Sequence, residues 1–282
     1  MDLYKAARYV ATRTDGQPLS VASAWWRPLP MASALVFRGN GEKRMLETIV
    51  DLSGNQLLKR LPERERTALR PYLEPVNLRA GQLLSDSGQR IRHVYFPISA
   101  MISMLSLQES GSTVELASIG HEGLAGLPAL TGGETMPNRT EVRKSGVALR
   151  IAAGDLRAQW PMLPTLQRMT LLYMQALLTQ VAQTVVSVRH HSLTEQLCRW
   201  LLLALDRAAG NELDVTQQTI ADMLGVRREG VTEAVGRLVQ LHLIEHSRGH
   251  ITVIDRAGLE GYSGESYRIV KHEFDRLLST TA

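Results

Sequence analysis

Cysteine is almost missing from this chain: Cys198 is the single one in 282 residues. One thiol cannot close an internal disulfide, and an iron–sulfur cluster usually takes about four thiolates, so an iron–sulfur cofactor is excluded. Cys198 sits in the apolar run Leu197-Cys198-Arg199-Trp200-Leu201, where a small buried hydrophobe is expected. No uninterrupted apolar run approaches the roughly 20 residues of a membrane-spanning helix, and Met1 to Val10 has no apolar core of the secretory type. A cytoplasmic protein with no membrane partner is expected. Catalytic signatures are missing too. There is no phosphate-cradling Gly-rich loop, no His-Glu-x-x-His and no Gly-x-Ser-x-Gly, so no enzyme is expected.

Excess charge is scarcer than the total suggests. The net is +4, but residues 1–44 hold seven Lys/Arg against three Asp/Glu, and the remainder is close to neutral. Overall basicity is therefore no argument for a nucleic-acid partner, and any electrostatic footprint must be local. The length suits two domains, each with its own core. With 44% hydrophobic and 21% charged residues, the composition is that of a soluble globular chain.

Residues 1–44 differ from the rest. Pro18, Pro28 and Pro30, with Gly16, Gly39, Asn40 and Gly41, predict a poorly ordered arm in which Trp25 and Trp26 are out of character. Met45 as the true start is the alternative. Leucines at 57, 58, 61, 69 and 73, punctuated by Pro62 and Pro71, predict short helices. From Val76 to Ile151 the pattern turns to short strands. His93 to Phe96, Met101 to Leu107, Thr113 to Ile119 and Val147 to Ile151 are the clearest, with a turn at 108–112 and a glycine-rich bend from Gly120 to Gly126. Such strands suggest a small antiparallel sandwich or barrel. A long helix follows over Thr165 to Val188, free of proline and glycine. Its stripe Leu166, Met169, Tyr173, Ala176 or Leu177, Gln180 and Thr184 is expected to form a two-helix seam. Ser192-Leu193-Thr194-Glu195 fits a capping box opening the next helix, about Leu193 to Ala208.

The pattern that points to function lies between Thr216 and Asp255. Thr216 can cap a helix over Gln217 to Leu224, with Ile220, Met223 and Leu224 inward. Gly225 supplies a sharp turn, and a second helix runs from about Arg227 to Leu241 with Val231, Val235, Leu238 and Val239 as its buried face. Small Ala221 stands where the two helices cross, as a helix-turn-helix requires. His246 to Val253 reads as a hairpin wing. Arg227, Arg228 and Glu229 occupy the first turn of the second helix, with Thr232 and Glu233 one turn on, where such helices meet base edges in the major groove. Gln217, Gln218 and Arg248 are placed to reach phosphates. One reading helix covers a half-site, so a homodimer on double-stranded DNA is expected.

With these residues on the page, the chain from about Leu52 to Leu259 resembles the Crp/Fnr superfamily of bacterial regulators. The resemblance is carried by Leu197 to Leu202, by Thr216 through Gly225 to Thr232, and by Gly249-His250-Ile251. It implies an α+β fold: an N-terminal antiparallel β-roll sensor over 45–163, a dimerisation helix over 164–190, a winged helix-turn-helix over 191–260 and a helical tail over 261–282. It also implies a transcription regulator whose DNA binding responds to a small effector, with RNA polymerase as a further partner for an activator. Arg228 and Glu229 match the family's base-reading pair, whereas Glu233 stands where many members have arginine.

The sensor side departs further. Family members that bind cyclic nucleotides carry Gly-Glu followed about ten residues later by Arg-Ser or Arg-Thr. Here Gly120-His121-Glu122-Gly123 interposes a histidine, and Arg139-Thr140 lies seventeen residues beyond Glu122. Glu122, Gly123, Arg139 and Thr140 are the candidate effector residues; cyclic AMP is not the expected ligand, and no other effector is identified. His93, His121, His190 and His191 are the histidines available to a haem, and no metal site is expected. Two other readings compete: a DNA binder whose degenerate sensor serves only as scaffold, and an enzyme with an appended winged helix.

Overall fold

The structure, a computed structural model, describes residues 51–278 apart from 110 and 209. The chain divides into two units, Met1–Glu47 and Thr48–Ala282, and the described residues belong to the second. The expected arm over 1–44, Trp25, Trp26 and Met45 lie outside them.

Two short helices open the described region, α1 (Gln56–Lys59) and α2 (Glu63–Leu69). Asn55 caps α1 by accepting from Leu57 and Leu58, and its Nδ2 donates to the carbonyls of Pro97 and Gly123. This fully buried side chain therefore ties the helix to the glycine-rich bend. Seven strands follow: β1 (Glu74–Leu78), β2 (Leu83–Ser85), β3 (His93–Pro97), β4 (Met101–Leu107), β5 (Thr113–Ile119), β6 (Arg139–Lys144) and β7 (Gly146–Ala152). They form two antiparallel sheets, ordered β1-β7-β3 and β2-β6-β4-β5. The short helix α3 (Pro128–Thr131) lies between β5 and β6, and α4 (Ala153–Gln159) follows β7. The expected antiparallel strand domain is present.

The strands close around Val94, Phe96, Ile102, Leu105, Leu149 and Ile151, all at most 2% exposed. Burying each such side chain is worth about 1.5–3 kcal/mol before entropy is counted. Strand β4 is not buried on one face alone: Met101, Ile102, Ser103 and Leu105 are all covered. Ser103 donates to Glu115 of β5, which also accepts from Trp200 much later in the chain, a contact that short-range alternation does not reveal.

Helix α5 runs over Pro164–His190. Its first turn has no cap of its own. Glu65 of α2 supplies one, accepting from the amides of Thr165 and Leu166 at 2.9 and 3.1 Å, where a carboxylate also favours the helix dipole. By length and composition this helix is apolar enough to cross a membrane, although no uninterrupted apolar run was expected to approach that length. Its apolarity belongs to two faces. Leu166, Met169, Tyr173, Ala176, Leu177 and Gln180 are buried. They pack within this copy, and Gln180 and Thr184 bond the Ser118 and Leu116 carbonyls of β5. The expectation that this stripe forms the two-helix seam is thereby corrected. The exposed apolar face lies to one side of it. Leu171, Leu178 and Val185 repeat every seventh residue at 66–69% exposure, with exposed Val188 and half-buried Met174 and Val181 alongside. The correction has a physical reason: a stripe judged by spacing alone omits which face the strands and the C-terminal helix already occupy.

The capping box forms as expected, with Ser192 and Glu195 bonded reciprocally at the start of α6 (Leu193–Leu205). Cys198 is buried in α6, and burial, with Glu195 nearby, pushes its thiol up to about 12.

Candidate nucleic-acid interface

Beyond α6 lie β8 (Glu212–Asp214), α7 (Gln217–Leu224), α8 (Arg228–Gln240), β9 (Ile244–Ser247) and β10 (His250–Val253), then α9 (Arg256–Tyr262) and α10 (Glu265–Leu278). Thr216 caps α7, its hydroxyl accepting from the Thr219 amide at 3.1 Å. Gly225 ends α7 in the left-handed region at φ +67°, which favours glycine. Ile220, Ala221 and Met223 of α7 and Val231, Ala234, Val235 and Leu238 of α8 form the buried faces. Val239, expected inward, is 39% exposed. It follows Leu238 directly, and one helical step of about 100° turns it away from the core. The wing is a three-stranded sheet ordered β8-β10-β9, in which Ser247 pairs with His250 across an Arg248-Gly249 turn.

Arg227, Arg228, Glu229, Thr232 and Glu233 are all exposed, as is Arg248 at the wing tip. None of the four charged groups in the first two turns of α8 makes an ion pair among the described residues, nor does Arg248. Arg227 is the N-cap residue of α8 and makes no side-chain capping bond. The start of this helix is thus charged, unpaired and open to solvent. The two glutamines differ from it. Gln217 accepts from the Thr232 hydroxyl at 2.7 Å, which locks α7 to α8, and Gln218 donates to Asp222 at 2.9 Å. Each is held by an internal partner rather than free.

The candidate effector residues are not brought together. Glu122 is buried, and its Oε1 accepts from Arg207 Nε at 2.7 Å and from the Gly120 amide at 3.1 Å. A Cβ on Gly123 would lie 2.3 Å from the Tyr173 ring, so glycine here permits the bend to meet α5. Arg139 makes a two-pronged pair with Asp86 at 3.0 and 3.2 Å. Thr140 is buried against an apolar cavity instead. The four histidines are likewise scattered: His93 on β3, His121 in the bend, His190 ending α5 and His191 capping it. Among the described residues no three His, Cys, Asp or Glu side chains group to hold a metal.

Sequence reading missed the seam between the strands and the helix-turn-helix. Glu115 of β5 accepts from Ser103 and from Trp200 Nε1, both at 2.6 Å, while the Arg143 guanidinium lies 5.9 Å from the Trp200 ring. Arg199 donates to the Gln180 carbonyl and the Thr184 hydroxyl, and burial pulls its guanidinium down to about 10. Arg207 also donates to Gln180 Oε1 at 3.0 Å and lies over Phe274 of α10. A Cβ on Gly225 would meet Val114 of β5 at 2.6 Å, so the turn between α7 and α8 is pressed on the strand domain. The available signal was charge inside apolar runs: Arg199 in α6 and Glu115 in β5.

Residues 195–262 match the family described as Crp-like helix-turn-helix domain. The chain carries a Crp-like helix-turn-helix on a Crp/Fnr fold. Solved structures of that fold agree along most of the chain. A putative regulator of the Crp/Fnr family from Eubacterium rectale is 20% identical, with TM-score 0.59, covering 75% of this chain and 99% of that one. FixK2 from Bradyrhizobium japonicum is 15% identical, with TM-score 0.58, covering 68% and 98%. The c-di-GMP-responsive regulator CLP of Xanthomonas campestris is 14% identical, with TM-score 0.56, covering 68% and 99%. At these identities the likeness concerns the fold. No curated protein matches the chain at a significant level.

Proposed function

We propose that this chain is a cytoplasmic transcription regulator that reads a two-fold DNA operator as a homodimer, and that its strand domain, the β-roll of the Crp/Fnr fold, modulates the binding. One observation carries the reading: the first turn of α8 presents Arg227, Arg228 and Glu229 unpaired and exposed beyond a glycine turn. Arginine can bond both acceptors of a guanine edge, and glutamate can accept from a cytosine amino group. Thr232 and Glu233 continue that face, and Arg248 of the wing supplies a phosphate contact.

The second copy of the reading helix comes from α5. Leu171, Met174, Leu178, Val181, Val185 and Val188 occupy alternating three- and four-residue steps, the period of a two-stranded coiled coil. A surface that repeats in this way is self-complementary across a two-fold axis. Modulation is supported by the seam, since Gln180 and Thr184 of α5 hold Arg199 and Arg207 of the DNA-binding region. An activator would engage RNA polymerase as well, and no catalytic role is assigned.

Selection of binding sites from random DNA tests the whole reading. The expected result is an inverted repeat with half-sites about one helical turn apart. Recovery of no preferred sequence, or of single asymmetric sites, would overturn it.

A further inference from the structure

A pocket of about 190 Å3 lies where the glycine-rich bend meets the end of α6 and α10. It shares no wall residue with the apolar cavity beside Thr140. Gln56 of α1, with His121 and Glu122 of the bend, forms the side that belongs to the strand domain. Arg207 after α6 and Lys271 and Asp275 of α10 face it from the other side. The volume is below the roughly 300–1,000 Å3 of drug-sized sites. With about 30 Å3 as a water's share of the liquid, it suits about six waters or one compact molecule.

The polar groups of the wall are not equally committed. Arg207 donates to Glu122 Oε1, to the Leu203 carbonyl and to Gln180. Lys271 pairs with Asp275 at 3.3 Å, and Asp206, also in the wall, accepts from Arg256 and Tyr267. Glu122 Oε2 is the exception, buried and without a hydrogen-bond partner. A Cβ on Gly120 would lie 2.8 Å from it, so glycine keeps the space beside that oxygen clear. The side chains of Gln56 and His121 make no hydrogen bond among the described residues. The unmet buried group is thus an acceptor. An anion would meet cations that are already paired, with carboxylates beside them. An ammonium supplies the N–H donor that Oε2 lacks, in a charge-assisted bond.

We propose that this pocket binds a compact primary amine in its ammonium form, which donates to Glu122 Oε2. Its apolar part lies against Leu203, Val270 and Phe274, which complete the wall. Gln56 and His121 are available to a second polar group. The walls come from one copy of the chain, so the site does not need a second. An occupant touches the strand domain and the DNA-binding region together, at the junction that Glu122 and Arg207 already fasten. Any effect on operator affinity rests on the regulator reading above; binding itself does not.

The test is a ligand-observed NMR titration of the full chain at neutral pH, without DNA, using benzylammonium. Benzyl alcohol and benzoate serve as the neutral and anionic matches of the same shape. Saturable binding of one benzylammonium per chain is expected, about tenfold or more tighter than benzyl alcohol, with benzoate weaker still. Glu122→Gln keeps an acceptor for Arg207 but removes the carboxylate, and should abolish the preference for the ammonium over the alcohol. Gln56→Lys tethers an ammonium in the wall at a position with no side-chain hydrogen bond to lose. It should weaken benzylammonium about tenfold or more with the thermal midpoint unchanged, and it decides the matter if Glu122→Gln disturbs folding. No saturable binding, benzoate bound as tightly as benzylammonium, or unaltered benzylammonium affinity in every variant that folds would each overturn the proposal. Operator selection is a separate experiment, so failure of one leaves the other standing.

Discussion

Arg228 and Glu229 at the start of α8 and Arg207 and Glu122 between α6 and the bend are the same residue types in opposite surroundings. The first two are neighbours in sequence, exposed and unpaired. The other two are 85 residues apart, with side chains 4% and 11% exposed, joined at 2.7 Å. An exposed pair retains its hydrogen-bonding capacity for an outside partner. The buried pair is joined through Glu122 Oε1, while Oε2 is buried without a hydrogen-bond partner, and removing either member leaves an uncompensated buried charge. Glu122, which sequence alone offers to an effector, fastens the strand domain to the DNA-binding region through its Oε1.

Three substitutions and one labelling experiment test this contrast. Arg207→Ala should have the largest effect, about 3–5 kcal/mol of stability, because it leaves Glu122 buried without its cation. Chemical denaturation measures this, and a loss below about 1 kcal/mol, as for a surface pair, would show that the seam is not tight. Val185→Glu on the exposed stripe should leave the fold intact, yield monomers in sedimentation and lower operator affinity by about a hundredfold or more, since one half-site remains. A dimer that survives the charge would place the two-fold contact elsewhere.

Arg228→Ala should cost about 1–3 kcal/mol of specific binding and relax preference at one base position, with the midpoint of denaturation unmoved. An equal loss on every DNA sequence would make Arg228 a phosphate contact instead. The smallest effect on function concerns Cys198. Its thiol is raised from 9.0 to about 12 by burial, so the thiolate fraction at pH 8 falls about a thousandfold. A disulfide reagent should leave the native chain untouched and label it at once in denaturant, with DNA binding unchanged by the exposure. Rapid labelling of the folded chain would contradict the packing of α6.

Much of the DNA-facing region was legible from residues alone. Thr216, Gly225 and the Ser192 capping box act through neighbours within a few positions, so their identities predict their geometry. Helix α7 runs over the predicted residues, and the wing turns at Arg248-Gly249. The bend was legible only as a bend. Its partners, Arg207, Tyr173 and Asn55, lie far away in sequence, and no local period marks them. The stripe on α5 shows an intermediate case. Heptad spacing was present in the sequence in more than one phase, and β5 together with α10 decided which phase was covered.

By itself, then, the sequence determined the elements, the glycine turn and the charged start of α8, because these depend on nearest neighbours and residue chemistry. Tertiary structure decided which charges are exposed and which are paired in the interior. It turned Glu122 and Arg139 toward internal cations and anions, left Arg228 open, and moved the exposed apolar face of α5 to Leu171, Leu178 and Val185. The physical reason is that burial and ion pairing are set by groups brought together across the fold, at separations local sequence cannot encode.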